Sequence, residues 1–160
     1  MEVLRAIAAN TLLGFGPVAR FAATQHVTGI DGNLEQAQAL FSFYEQHGAC
    51  RDKDVLELGT GKTLDVLLMA RQAGARSVCA ADVTRYHSAE TARRSGIDYR
   101  IYDGRELPFA DASQDLVWAC YCLQHFRYPA VSMQEIARVL RPGGRLVCRV
   151  DLRDHYHMFV

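Results

Sequence analysis

The chain has 160 residues, enough for one domain with a real core, and no apolar run approaches the ~20 residues that a membrane-spanning helix needs. Lysine plus arginine equals aspartate plus glutamate at 18 each, so the net charge is zero and no electrostatic footprint for nucleic acid follows. Five cysteines, at 50, 79, 120, 122 and 148, are odd in number and contain no Cys-x-x-Cys, which fits buried free thiols in a reducing cytoplasm.

Arg5 and the apolar stretch Ala6–Phe15 resemble a secretory signal, but Glu2, Asn10 and Arg20 interrupt it, and a cytoplasmic location is expected. Residues 1–30 are expected to form a small helix and loop. Asn33 to His47 reads as an amphipathic helix, with Asn33 as cap and Leu34, Ala37, Leu40, Phe41 and Tyr44 on one face.

Val55-Leu56-Glu57-Leu58 is a β-favouring run that ends at the turn Gly59-Thr60-Gly61, and residues 62–70 carry helical apolar spacing. A strand that opens through glycines into a helix lets the backbone approach a ligand closely. Gly61-Lys62-Thr63 imitates the end of a phosphate-binding Walker loop, but its first glycine would fall on Leu56, inside the strand. A dinucleotide fingerprint needs a third glycine where Leu64 stands. What remains is an acid, Glu57, two residues before the first glycine. Negative charge there repels a pyrophosphate and suits a cationic or amino-bearing ligand.

Ser77 to Asp82 reads as a second buried strand ending in an acid, which could accept hydrogen bonds from ribose hydroxyls or cap a turn. Asp98–Tyr102 follows as a short third strand, leading into Asp103-Gly104-Arg105-Glu106-Leu107-Pro108-Phe109. Asp103-Gly104 is also a good turn dipeptide in its own right. Leu116–Tyr121 is a fourth apolar strand, and Cys122-Leu123-Gln124-His125-Phe126 follows it. Cys120 and Cys122 are expected to share a strand face. A helix through Glu135–Leu140 is expected to stop at Pro142-Gly143-Gly144, before a fifth strand that ends near Asp151. Arg85, Arg93, Arg94, Arg100 and Arg105 are interleaved with acids and read as a solvated face. His155 and His157 with Asp151 and Asp154 lack an anchoring ligand pattern, so no metal is expected.

Glu57-x-Gly59-x-Gly61, Asp82, Asp103-Gly104-x-x-Leu107-Pro108-Phe109, Leu123-x-His125 and the Pro-Gly-Gly strand resemble, in order over residues 55–151, the motifs of class I S-adenosylmethionine-dependent methyltransferases of the type 11 kind. The resemblance implies a Rossmann-like doubly wound α/β fold with five parallel strands readable, the family's last two strands apparently absent, and an N-terminal helical extension. It implies one domain over 1–160, with a helical segment at 1–48, the cofactor-binding core at 49–152 and a tail at 153–160. The cofactor would be S-adenosylmethionine, leaving S-adenosylhomocysteine as product. Glu57, Gly59, Thr60, Gly61, Thr63, Asp82, Val83, Asp103, Gly104 and Ala119 would bind it.

His125 and Asp151 are the candidates for a catalytic base, with His155 and Tyr156 on the substrate side; His125 reads equally as a pocket wall that does not titrate. Thr63 departs from the family's third glycine, and Gln114 from its aromatic. The expected reaction is methyl transfer to a small-molecule acceptor; a catalytically silent protein of the same fold, dependent on a partner chain, stays open. An apolar fifth-strand edge points either to a homodimer or partner chain along it or to a truncated form of a longer protein.

Overall fold

The computed structural model describes residues 33–151, all within one compact unit. The expectations for residues 1–30, and for His155, Tyr156, His157 and the tail, lie outside the described residues.

The first helix among the described residues, α1, runs over Leu34–His47 and is capped by the Asn33 side chain, which accepts from the N–H groups of Glu35 and Gln36 at 3.0 and 3.3 Å. It buries Ala37 and Tyr44 and half-buries Leu40 and Phe41. Leu34 departs from the expected face: it stays exposed, because the buried stripe starts one turn further on.

Five strands follow: β1 (Asp54–Leu58), β2 (Ser77–Asp82), β3 (Asp98–Ile101), β4 (Gln114–Cys120) and β5 (Leu140–Arg149). Three more helices accompany them: α2 (Asp65–Gln72), α3 (Ala89–Ser95) and α4 (Pro129–Val139). The sheet is wholly parallel in the order β3-β2-β1-β4-β5. Parallel strands covered on both faces need continuous apolar runs, and β1 is buried at every residue. Alternation along the strands sends Val55, Val78, Ala80, Leu116, Trp118 and Val147 to the face covered by α1 and α2. Leu56, Leu58, Ala81, Val117 and Ala119 go to the other face, against Leu107, Phe109 and the α4 residues Ile136 and Val139. The strand order reverses between β1 and β4, and such a switch point opens a crevice at the carboxyl ends of the strands.

Three local expectations are corrected. The helix after the glycine turn begins at Asp65, not residue 62, and runs to Gln72. Pro142-Gly143-Gly144 does not separate helix from strand. α4 ends at Val139, and the three residues lie inside β5, where Gln114 pairs with Leu140 but Leu116 already pairs with Arg145. The extra residues bulge out, with Gly143 at φ +82°, and a Cβ on Gly144 would stand 2.9 Å from the Arg141 carbonyl oxygen. Finally, β4 stops at Cys120 because Tyr121 adopts φ +55°. The kink sends Cys120 to the α1 side and Cys122 to the opposite cluster, so the two do not share a face. All five cysteines are free; Cys50 and Cys79 are buried, but Cys148 is exposed on β5.

At the amino ends of the strands the Asp54 carboxylate accepts from Arg76 and Arg141 at 2.8 Å each and from the Ser77 hydroxyl at 2.7 Å. Asp115 accepts the Asp54 N–H at 2.9 Å and lies 3.1 Å from Arg141. The network joins β1, β2, β4 and β5 at the end remote from the crevice. No helix among the described residues is long and apolar enough to cross a membrane.

Candidate functional site

The crevice is floored by the glycine turn. Gly59 and Gly61 have φ +69° and +63°, which L-residues with a Cβ adopt only under strain. Gly59 is required twice over, since a Cβ there would lie 2.7 Å from the Cβ of Cys122. The Cys122 thiol in turn reaches the Leu58 carbonyl at 3.2 Å, so the end of β4 braces the turn from behind. Thr63 serves the turn's exit: its hydroxyl oxygen accepts the Asp65 N–H at 3.1 Å and donates to the Asp65 carboxylate at 2.6 Å.

Two buried acids stand at neighbouring strand ends. Glu57 is 5% exposed, and burial, with the charge of Asp82 added, pushes its carboxyl up to about 8. Asp82 is 6% exposed, and burial pushes it up to about 7 although donors oppose this. The chief donor is the Thr60 hydroxyl, 2.8 Å from Asp82 Oδ2, which ties the glycine turn to the end of β2. A pair of desolvated carboxyls is a reservoir of negative charge that a cationic ligand would draw out.

Beyond Asp82, Val83 is 59% exposed, an apolar side chain offered to the crevice rather than the core. Gly104 lies against it, with φ +82°, and a Cβ there would come into ordinary contact with Val83 at 3.5 Å. Asp103 is exposed and its Oδ1 accepts the N–H groups of Arg105 and Glu106 at 2.8 and 3.2 Å; these donors hold its carboxyl below the ordinary value. Asp103 therefore serves as a turn residue, shaping the loop that follows β3. Ala119 is fully buried, its side chain in the core beneath the crevice.

Two devices escape any motif. His87 lies with Nε2 3.0 Å from the Gly61 carbonyl oxygen, so the ring donates to the glycine turn from the loop after β2. Tyr99 supports that loop: its ring meets His87 edge-on at 5.2 Å, and its hydroxyl accepts the Tyr86 N–H and donates to the Thr84 carbonyl. On the far side, Arg138 of α4 donates to the carbonyls of Phe109 and Leu107 at 2.8 and 2.9 Å. Glu135 accepts the Leu107 N–H at 2.8 Å, and Arg138 also pairs with Glu135 and Asp111. The Asp103–Phe109 loop is thereby clamped to the helix. The one sequence signal was a Glu and an Arg three residues apart on a helical face.

His125 closes a 3-10 turn, Leu123–His125, just past β4 and is exposed; its N–H bonds the Cys122 carbonyl at 2.9 Å. Asp151 is half-buried directly after β5. Both lie at carboxyl ends of strands, on the side of the sheet's switch point away from β2. The arginine-rich cluster is solvated, as expected: Arg93 and Arg94 pair with Glu90, Arg100 pairs with Asp98, and Arg105 lies on Tyr128. Among the described residues no group of three or more His, Cys, Asp or Glu side chains is placed to hold a metal ion.

An acid pair at neighbouring strand ends, a turn that only glycine fits, and an exposed valine beside a glycine make a crevice with carboxyls at its floor and room for close backbone approach. The chain is 36% identical over 97 residues to the ubiquinone/menaquinone biosynthesis C-methyltransferase of Desulfotalea psychrophila, covering 59% of this chain but 39% of that enzyme's length. Among solved structures it is similar to the cyclase SpnF, with 26% identity and a TM-score of 0.60 over 70% of this chain and 44% of that one. An S-adenosylmethionine-dependent methyltransferase from Mesorhizobium loti shares the fold at 24% identity and a TM-score of 0.57, over 75% of this chain and 55% of that one. A family model described as "methyltransferase domain" matches residues 56–148, more than half of the chain, and with it the chain belongs to the methyltransferase-domain family.

Proposed function

We propose that the protein transfers a methyl group from S-adenosylmethionine to a small-molecule acceptor. The observation that carries this reading is the buried pair Glu57 and Asp82 on either side of a glycine turn. Glu57 would hold the cofactor's amino group, Asp82 the ribose hydroxyls, and Val83 with Gly104 the flat faces of the adenine, with Asp103 at its rim. The bound cofactor supplies a methyl group on a sulfonium, already a good leaving group, so positioning and exclusion of water are the protein's main tasks. An oxygen or nitrogen acceptor also has a proton to lose, and an imidazole nitrogen of His125 or the Asp151 carboxylate would take it.

Thermal-shift measurements with S-adenosylhomocysteine, NAD and no ligand test the cofactor. A rise in Tm with S-adenosylhomocysteine alone is expected; a rise only with NAD, or none, defeats the reading. For the base, His125→Asn should lower turnover with cofactor bound, and unchanged turnover assigns His125 to the pocket wall. A second reading, a methyltransferase fold that no longer transfers methyl groups, is favoured by the likeness to a cyclase. It predicts S-adenosylhomocysteine binding without turnover of the cofactor on any acceptor. Five free thiols fit a reducing compartment such as the cytoplasm.

A further inference from the structure

We propose that Arg149, framed by Phe43 and Tyr121, is an anion subsite that recognises a carboxylate on the methyl acceptor; this rests on the methyltransferase reading of the crevice. Glu57 pairs in register with Trp118, Trp118 with Val147, and Cys120 with Arg149. Strand alternation therefore brings Glu57 and Arg149 to the same face, the one α1 covers, at the carboxyl ends of β1 and β5. The end of β4 lies between them.

The guanidinium carbon lies 4.2 Å from the Phe43 ring centre and 5.8 Å from that of Tyr121. Aromatic contacts of this kind engage the flat face of a guanidinium and leave its in-plane N–H donors directed outward. One donor reaches the Tyr121 hydroxyl at 3.4 Å, the outer limit of a hydrogen bond. Among the described residues Arg149 forms no ion pair with a carboxylate, a trait it shares with Arg105 on Tyr128, whereas Arg76, Arg138 and Arg141 rest on acids; what sets Arg149 apart is its place at the carboxyl end of β5. A planar donor edge held by rings, with no acid on it among the described residues, is matched by a planar bidentate anion.

Tyr121 points the same way. It is the residue at φ +55° that ends β4, it is 47% exposed, and its N–H is held by the Arg149 carbonyl at 2.7 Å. A non-glycine residue in the left-handed region costs about 1–2 kcal/mol, and residues held there cluster at ligand sites; Asp52 and Ala112 share the conformation, but Tyr121 alone of the three stands at the carboxyl end of a strand. Here it sets a phenol beside the guanidinium, a second donor for the same anion. The crevice is then divided by charge, with carboxyls for the cationic cofactor at β1 and β2 and a guanidinium for an anionic acceptor at β5.

The test compares 4-hydroxybenzoate with the neutral, equally sized 4-hydroxybenzamide by calorimetric titration, with and without saturating S-adenosylhomocysteine. Wild-type protein should bind the acid about tenfold more tightly than the amide, as one charge-assisted hydrogen-bond pair provides. Arg149→Met, which keeps a stem against Phe43, should bind the two alike, and Arg149→Lys should retain part of the preference. The melting temperature of each variant guards against misfolding, and Arg149→Gln gives a second neutral replacement. Equal affinities in the wild type, no measurable binding of the acid, or a preference that survives both neutral variants overturns the assignment. Failure of S-adenosylhomocysteine to bind would overturn the methyltransferase reading instead, and the acid–amide comparison without cofactor separates the two failures.

Discussion

Glu57 and Asp82 end adjacent parallel strands, and the charge of Asp82 adds to burial in keeping the Glu57 carboxyl protonated far above its ordinary range. Two acids that resist ionisation at neutral pH make both ligand binding and stability depend on pH.

A cationic amino group favours the ionised carboxylate. Affinity for S-adenosylhomocysteine should therefore rise from pH 6 to pH 8.5, through the values of about 7 and about 8 at Asp82 and Glu57, until the ligand's own ammonium begins to titrate. Calorimetry at pH 7 in buffers of different ionisation enthalpy should report proton release on binding. Proton uptake would contradict the assignment of Glu57 to the amino group.

The ligand-free protein should show the opposite trend. Both acids have folded values raised above the ordinary 4.5 and 3.8, so the stability they contribute is complete below those values and is lost as pH rises towards 7 and 8. Each group can remove up to roughly 1.4 kcal/mol per pH unit within that window. Glu57→Gln should flatten the decline and raise Tm at pH 8 while weakening S-adenosylhomocysteine binding. A variant that loses both stability and binding at pH 8 would show that Glu57 is ionised and structurally needed in the free protein.

Gly59→Ala should destabilise by about 1–3 kcal/mol, from the left-handed backbone and the clash with Cys122 together. Because the closest contact is with the Cβ of Cys122, at 2.7 Å, and its sulfur stands further off at 3.2 Å, Cys122→Ala should give only a small part of the relief. Cys122→Gly in the same chain should recover part of the loss, leaving the backbone penalty. Denaturant titrations of the four proteins decide it, and full rescue by Cys122→Ala would mean that the sulfur is the obstacle.

Arg138→Met should release the Leu107 and Phe109 carbonyls and leave Glu135 with the Leu107 N–H but no cation, at a cost of about 1–3 kcal/mol. The loosened Asp103–Phe109 loop should weaken S-adenosylhomocysteine and 5′-methylthioadenosine by the same factor, since both carry the adenine and ribose. Unequal losses would place the effect of Arg138 elsewhere in the crevice.

Much of this layout is legible in the residues. Ser77–Asp82 announces itself as a strand because every residue after Ser77 is buried on one face or the other, and the acids at strand ends follow from the same runs. The glycine turn is legible because backbone geometry leaves few substitutes. Other features depend on partners remote in sequence. His87 reaches Gly61 across 26 positions from a stretch with nothing to mark it, and Arg138 reaches Phe109 across 29, where its spacing from Glu135 marks a helix face but not the loop it clamps. Pro142-Gly143-Gly144 misleads for a different reason. Proline and glycine end helices and form bulges equally well, and only the pairing of β5 with β4 decides between them. Likewise the kink at Tyr121 that separates Cys120 from Cys122 leaves no trace in a run of apolar letters.

Trp118, stacked 4.4 Å from Tyr44 at an interplanar angle of 6° and fully buried, is the sole tryptophan of the chain and the ladder neighbour of Glu57. Its indole N–H, like the Tyr44 hydroxyl, has no hydrogen-bond partner among the described residues. The protein thus carries an optical gauge of its own crevice. A single buried indole sits next to the carboxyl whose ionisation should accompany binding, so its emission should follow both the titration of Glu57 and the arrival of ligand without any label.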